Sequence, residues 1–180
     1  SLLNAFAVPG GRVILTRGII EQATSADELA GVLAHEIGHT EELHPEASFV
    51  RGLGFWALVN FMFTGQSNTL GSAGVILAQL SYTRAAEREA DTIALAKLQA
   101  AGIATKPFAG FFRRISKEAD TKSNPVRRIM RTNEMLSTHP APADRIARIE
   151  AVPAYPSTPA LEPGDWEALR GICAVKTPET

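Results

Sequence analysis

The chain has 180 residues, 45% of them hydrophobic and 21% charged, with a formal net charge of −1. These values fit one compact domain with an apolar core and exclude a disordered chain as the default reading. The near-neutral balance also removes the electrostatic case for nucleic acid, and the one basic cluster, Arg127, Arg128 and Arg131, reads as a solvated helix face. The single cysteine, Cys173, excludes an intramolecular disulfide, so a metal site here must draw on histidines and carboxylates. The chain opens at Ser1 in a strand-like run, as expected of a processed or recombinant piece of a longer precursor.

Residues 4–20 read as extended. Ala5-Phe6-Ala7-Val8 and Arg12-Val13-Ile14-Leu15-Thr16 flank Pro9-Gly10-Gly11, which predicts two strands in a hairpin. A helix is predicted from Ser25, because Ser25-Ala26-Asp27-Glu28 has the form of a capping box. Leu29, Val32 and Leu33 give it an apolar stripe, and His44-Pro45 marks its latest end.

Residues 49–82 are the most apolar stretch. Leu53–Phe63 and Leu70–Leu80 carry no charge and are joined by residues 64–68. Each run falls short of the ~20 residues that a spanning helix needs. The expectation is a pair of buried helices or one helix and a loop. The alternative is a hairpin facing a membrane or a partner, supported by Phe55, Trp56, Phe61, Met62 and Phe63.

Tyr82 to about Ala101 is rich in strong helix formers and stops at Gly102. A further helix is expected from Pro107 to Ala119, then a polar loop over 120–126. Two short helices, Arg127–Leu136 and Pro142–Ala151, flank Ser137-Thr138-His139-Pro140. Pro153, Pro156, Pro159 and Pro163 make 153–164 a connecting segment before a last short helix over Trp166–Cys173.

The chemistry is concentrated in His35-Glu36-Ile37-Gly38-His39. Histidines four apart on a helix share one face, and their nitrogens can reach one zinc ion at about 2.0–2.1 Å. Glu36 is poorly placed to bind that ion but well placed to take a proton from a zinc-bound water. A catalytic zinc takes three protein ligands. His44, His139 and the carboxylates are the candidates. Glu87 and Asp91 share a face of a second helix, so one can bind the metal while the other accepts the spare N–H of a ligand histidine. Spacing does not choose between Glu87 and Glu89, and Glu89 with Arg88 reads equally well as a solvated face.

Taken together, Asn4-Ala5-Phe6-Ala7, Pro9-Gly10-Gly11, Thr16-Arg17-Gly18, Glu28 through His39, Glu87-Arg88-Glu89-Ala90-Asp91, Ser137-Thr138-His139-Pro140 and Arg145-Ile146 resemble the HtpX-like metallopeptidases. These form metallopeptidase family forty-eight, of gluzincin type, which also holds CAAX prenyl proteases and periplasmic outer-membrane-quality-control peptidases. The resemblance runs from about residue 4 to residue 149 in order and spacing. It implies an α+β, mostly helical, zincin-like core with a small N-terminal hairpin and an active-site helix. It further implies one Zn2+ per chain on His35, His39 and Glu87, with Glu36 as general base and Asp91 behind the ligands. His139 would sit near the metal, stabilising an oxyanion or blocking the fourth position, and Arg145 would hold the same region through a carboxylate.

The implied substrate is an extended or misfolded polypeptide, added as a strand to Asn4, Ala5, Phe6 and Ala7. The implied domain is 1–152, with 153–180 as a Pro-rich segment and terminal helix packed on it. The implied setting is the bacterial periplasm or a membrane surface, with no nucleic acid as partner and residues 49–82 available to a membrane or partner. The rival expectation is a latent zinc-bound module that holds polypeptides without cutting them. Neither the long spanning helices of the family's membrane members nor the helical-repeat tails of its periplasmic members are visible in this sequence.

Overall fold

The computed structural model describes residues 2–63, 82–121, 134–139 and 142–173. The run Leu70–Leu80, the 64–68 joint, and Arg127, Arg128 and Arg131 lie outside the described residues, as do the side chains of Phe55, Trp56, Phe61, Met62 and Phe63.

The hairpin forms where the two apolar runs and the intervening Pro9-Gly10-Gly11 place it. β1 (Ala5–Val8) pairs antiparallel with β2 (Arg12–Leu15), with Ala5 opposite Leu15 and Val8 opposite Arg12. Gly10 and Gly11 make the turn at φ of +88° and +74°, a region that residues with a Cβ enter at a cost. Ala5 and Ala7 face inward and are buried. The expected extended run stops earlier than residue 20, because α1 (Arg17–Gln22) is a helix. Its Ile19 and Ile20 are both buried, and this tertiary packing overrides their preference for strands.

α2 (Ala26–Glu41) begins at its predicted cap, where the Glu28 N–H donates to Ser25 Oγ at 3.2 Å. The reciprocal bond goes elsewhere. Glu28 accepts from the Thr24 N–H at 2.7 Å and from both terminal nitrogens of Arg114 at 2.7 Å. Burial pushes the Glu28 carboxyl up, but Arg114 and Thr24 outweigh it and hold it below the usual range. The apolar stripe is narrower than predicted: Leu29 and Val32 are buried, whereas Leu33 is 37% exposed.

After Leu43, α3 (His44–Phe63) runs through the first apolar segment. The burial expected there fails at its start, since Phe49, Val50 and Leu53 are exposed. Among the described residues no helix is long and apolar enough to cross a membrane.

α4 (Arg84–Ala100) is capped by Thr83, whose hydroxyl accepts from the Ala86 N–H at 3.2 Å, and it stops at Gly102 with φ of +64°. α5 (Lys106–Thr121) supplies Phe108, Phe111, Phe112 and Ile115 to the core, where they meet Leu29 and Val32 of α2. α6 (Glu134–Thr138) and α7 (Pro142–Glu150) follow, the latter packed on α5. The chain then runs without helix or strand to α8 (Pro163–Gly171). The Thr158 N–H donates to Gly102 O at 2.8 Å and the Ala160 N–H to Asp27 Oδ1 at 2.7 Å, which ties this run to the core.

Among the described residues the most extensive helix contact is α2 on α4. It closes at Gly38, where an added Cβ would stand 2.7 Å from Ala90 O and 2.9 Å from Ala90 Cα. Both neighbours are backbone and cannot swing away. Gly38→Ala should therefore force the helices apart and cost about 1–3 kcal/mol by chemical denaturation. Because the two helices carry the facing site residues, metal affinity should fall with stability. Unchanged values for both would show that the crossing is not tight.

Candidate metal centre

The close crossing brings the polar faces of α2 and α4 together inside the protein. His35, Glu36, His39, Glu87, Asp91, His139 and Arg145 are all buried. His35 and His39 are one turn apart, and their Nε2 atoms stand 3.0 Å from each other. From α4, Glu87 places Oε1 at 3.2 Å from His39 Nε2 and Oε2 at 3.5 Å from His35 Nε2. His139, just after α6, brings Nδ1 to 2.9 Å from Glu87 Oε1 and 3.3 Å from His35 Nε2.

The surrounding groups set the ring orientations. His35 Nδ1 stands 3.0 Å from Asp91 Oδ1, so its N–H can be given to that carboxylate with Nε2 left bare. Arg145 of α7 pairs with Asp91 at 2.9 Å and with Glu87 at 3.0 Å, and its guanidinium lies 4.0 Å over the Phe112 ring. Tyr82, which sequence reasoning did not connect to the site, stacks on His39 at 3.8 Å and 17°. Its aromatic character and its place before α4 were visible, but nothing local pointed to His39.

Glu36 has one oxygen on each side of the site. Oε2 accepts from the Ala7 N–H at 3.0 Å, and Oε1 lies 3.4 Å from His139 Nε2. Ala7 therefore turns its N–H from β2 to the site helix. Asn4 is buried and accepts the Ala5 N–H at 3.0 Å, which fixes the start of the strand. Phe6 is half-buried. Of the four strand residues expected to meet substrate, Ala7 is the one bonded to the cluster.

Burial is the leading influence throughout. It pushes His39 down to about 3, despite Glu87, so the ring is neutral, the form that binds metal. Burial acts the same way on His35, but its hydrogen bonds to Asp91 and Glu87 prevail and raise it. Glu87 is pushed up by burial and pulled further down by His139, His35 and His39, and Asp91 is likewise held low by His35 and Arg145. Glu36 is the exception: burial raises it, and no neighbour overcomes that.

This donor set fits a metal ion. Ligand atoms of His35, His39, Glu87 and His139 all lie within 4.8 Å of one another, and all four residues are buried. Glu36 Oε1 and His139 Nε2 are buried without a hydrogen bond, and Glu87 Oε2 has the Arg145 guanidinium as its ion-pair partner at 3.0 Å. Nitrogens and carboxylate oxygens crowded this closely, with acceptors left over, suit a cation better than any arrangement of protons.

Residues 1–152 match the model of peptidase family M48. The chain is 34% identical over 157 residues to a Vibrio cholerae protein named "Putative beta-barrel assembly-enhancing protease", covering 80% of this chain and 31% of that one. It is 28% identical over 160 residues to the beta-barrel assembly-enhancing protease of Escherichia coli K12, covering 81% and 31%. It is 31% identical over 153 residues to the mitochondrial metalloendopeptidase OMA1 of Schizosaccharomyces pombe, covering 82% and 42%. The chain thus spans 31% of the length of the first two of these relatives. With a family match over most of its residues and a buried His/Glu cluster able to hold a metal, the chain belongs to peptidase family M48.

Proposed function

We propose that this chain is the catalytic core of a zinc-dependent metalloendopeptidase that cleaves extended or misfolded polypeptides. The observation that carries this is the convergence of His35 Nε2, His39 Nε2 and the Glu87 carboxylate on one buried point beside Glu36. The relatives named above, a protease and a metalloendopeptidase, support the same class.

His35, His39 and Glu87 would hold the zinc ion. When bound, zinc supplies Lewis-acid chemistry: it polarises a carbonyl and acidifies water. Asp91 takes the Nδ1 proton of His35 as a hydrogen bond, and Arg145 keeps Asp91 and Glu87 charged and in place. Glu36 takes a proton from the attacking water on its carboxylate and passes it to the leaving amine nitrogen. Its burial raises its basicity for the first transfer. The backbone of Asn4–Ala7 receives the substrate as an added strand, which requires Ala7 to release Glu36.

The setting we propose is the bacterial periplasm or a membrane surface, within a longer precursor. Exposed Phe49, Val50 and Leu53 support membrane or partner contact through residues 49–82. Casein is a suitable test substrate. The zinc-loaded chain should cleave it, a chelator should stop cleavage, and added zinc should restore it. Binding of casein without cleavage at full zinc loading would instead support a polypeptide-holding module.

One observation favours a latent resting state of this enzyme. His139 touches Glu87, His35 and Glu36 together, the contact pattern expected of a side chain that blocks the fourth metal position at rest. On this reading His139→Ala raises casein turnover several-fold, within the ~10-fold range that one weak hydrogen-bonded block represents. A fall in turnover would assign His139 to transition-state binding.

A further inference from the structure

We propose, on the zinc-site reading above, that His44 and Glu89 orient His39 for metal binding, as Asp91 does directly for His35. His39 Nδ1 lies 2.9 Å from His44 Nδ1, and His44 Nε2 lies 3.2 Å from Glu89 Oε2. The His44 side chain is 13% exposed and that of Glu89 is 60% exposed. The chain of contacts therefore leads from a buried ring to a surface carboxylate.

With His44 neutral, the carboxylate fixes the polarity of these two bonds. An ionised carboxylate only accepts, so a neutral His44 must carry its proton on Nε2 and give it to Glu89. His44 Nδ1 is then bare and accepts from His39 Nδ1–H. His39 is left with a bare Nε2, the atom that faces His35 and Glu87. The opposite polarity would put a proton on His39 Nε2 and set a bare His44 nitrogen against a carboxylate. Glu89 thus selects the metal-binding tautomer of His39 through an intervening ring.

The backbone bears a strain that serves this placement. Leu43 has φ of +53°, the one positive value at a non-glycine among the described residues, and its side chain is exposed. Its packing gives no reason for that conformation. Its position does, since it turns the chain out of α2 so that His44 returns onto His39. Tyr82 stacks on the His39 ring and fixes its plane, leaving rotation and tautomer to His44. α4 then serves both ligand histidines: Asp91 for His35 and Glu89, on a different flank of the helix, for His39.

The test is zinc affinity by competition with a chromophoric chelator, with the absorption spectrum of the Co2+-substituted chain as a readout of ligand geometry. His44→Ala should weaken zinc about 10–100-fold and alter the cobalt spectrum. Glu89→Ala, at an exposed position that leaves folding intact, should weaken zinc less and add nothing in the His44→Ala background. His44→Asn keeps an acceptor where Nδ1 stood, so it should recover most of the affinity and the cobalt spectrum. Zinc affinities of His44→Ala and Glu89→Ala indistinguishable from the parent's would overturn the relay and leave the zinc site standing. Independent, additive losses would overturn it equally, as they would mark two unrelated structural roles. If the parent chain takes up no zinc and His35→Ala changes nothing, the zinc-site reading and the relay both fall.

Discussion

Glu36→Gln should leave zinc bound and lower peptide turnover by about 10²–10⁴-fold, the usual contribution of a positioned general base. The substitution is nearly isosteric, and the amide oxygen can still accept the Ala7 N–H that the carboxylate accepts at 3.0 Å. Strand position, packing and the three ligand side chains, His35, His39 and Glu87, are therefore preserved. What is lost is the capacity to take a proton. The Glu36 environment makes this specific, because burial raises its carboxyl while Glu87 and Asp91 are both held low. One carboxylate is thus set apart for proton transfer and two for charge. The measurement is kcat on casein alongside zinc content. Turnover at the parent's level with zinc in place would remove Glu36 from the role.

Arg145→Met should cost about 3–5 kcal/mol of stability in the metal-free chain, the range found when one member of a buried ion pair is removed. Arg145 is 2% exposed and faces Asp91 and Glu87, both buried as well. Methionine replaces much of the volume against Phe112, so the loss reports charge rather than a cavity. Glu87 and Asp91 would be left as neighbouring buried carboxylates with only histidines to offset them. A bound cation neutralises part of that charge, so the zinc-loaded chain should lose less. Urea denaturation of both forms checks this. Equal losses with and without zinc would place the effect in packing and not in the carboxylate pair.

The parts of the site that were legible in the sequence are those written within one helix. His35, Glu36 and His39 follow from a spacing of four, as does the shared face of Glu87 and Asp91. The meeting of these two helices was not legible, because it depends on Gly38 passing within contact of Ala90. His139 is 104 residues from His35 and 52 from Glu87, so residue type made it one candidate ligand among several and the resemblance to a family set it beside the metal. The hairpin was readable from Pro9-Gly10-Gly11 and the strand-favouring apolar runs on either side. The helix at Arg17–Gln22 was not, since Ile19 and Ile20 are held by the core and not by local preference. Glu28 reads as half of a capping box, but the structure gives its carboxylate to Thr24 and Arg114. Arg114 is 86 residues away, beyond any local rule. Glu89 was legible only as one of two glutamates that spacing could not separate. Its contact with His44 required the left-handed turn at Leu43, a conformation no leucine advertises.

The most direct measurement is the position of zinc in crystals of the zinc-loaded chain, located by anomalous scattering at the zinc absorption edge. One strong peak per chain is expected, bonded to His35 Nε2, His39 Nε2 and the Glu87 carboxylate, with Glu36 close by but unbonded. A peak that excludes Glu87, or no peak between α2 and α4, would contradict the zinc-site reading.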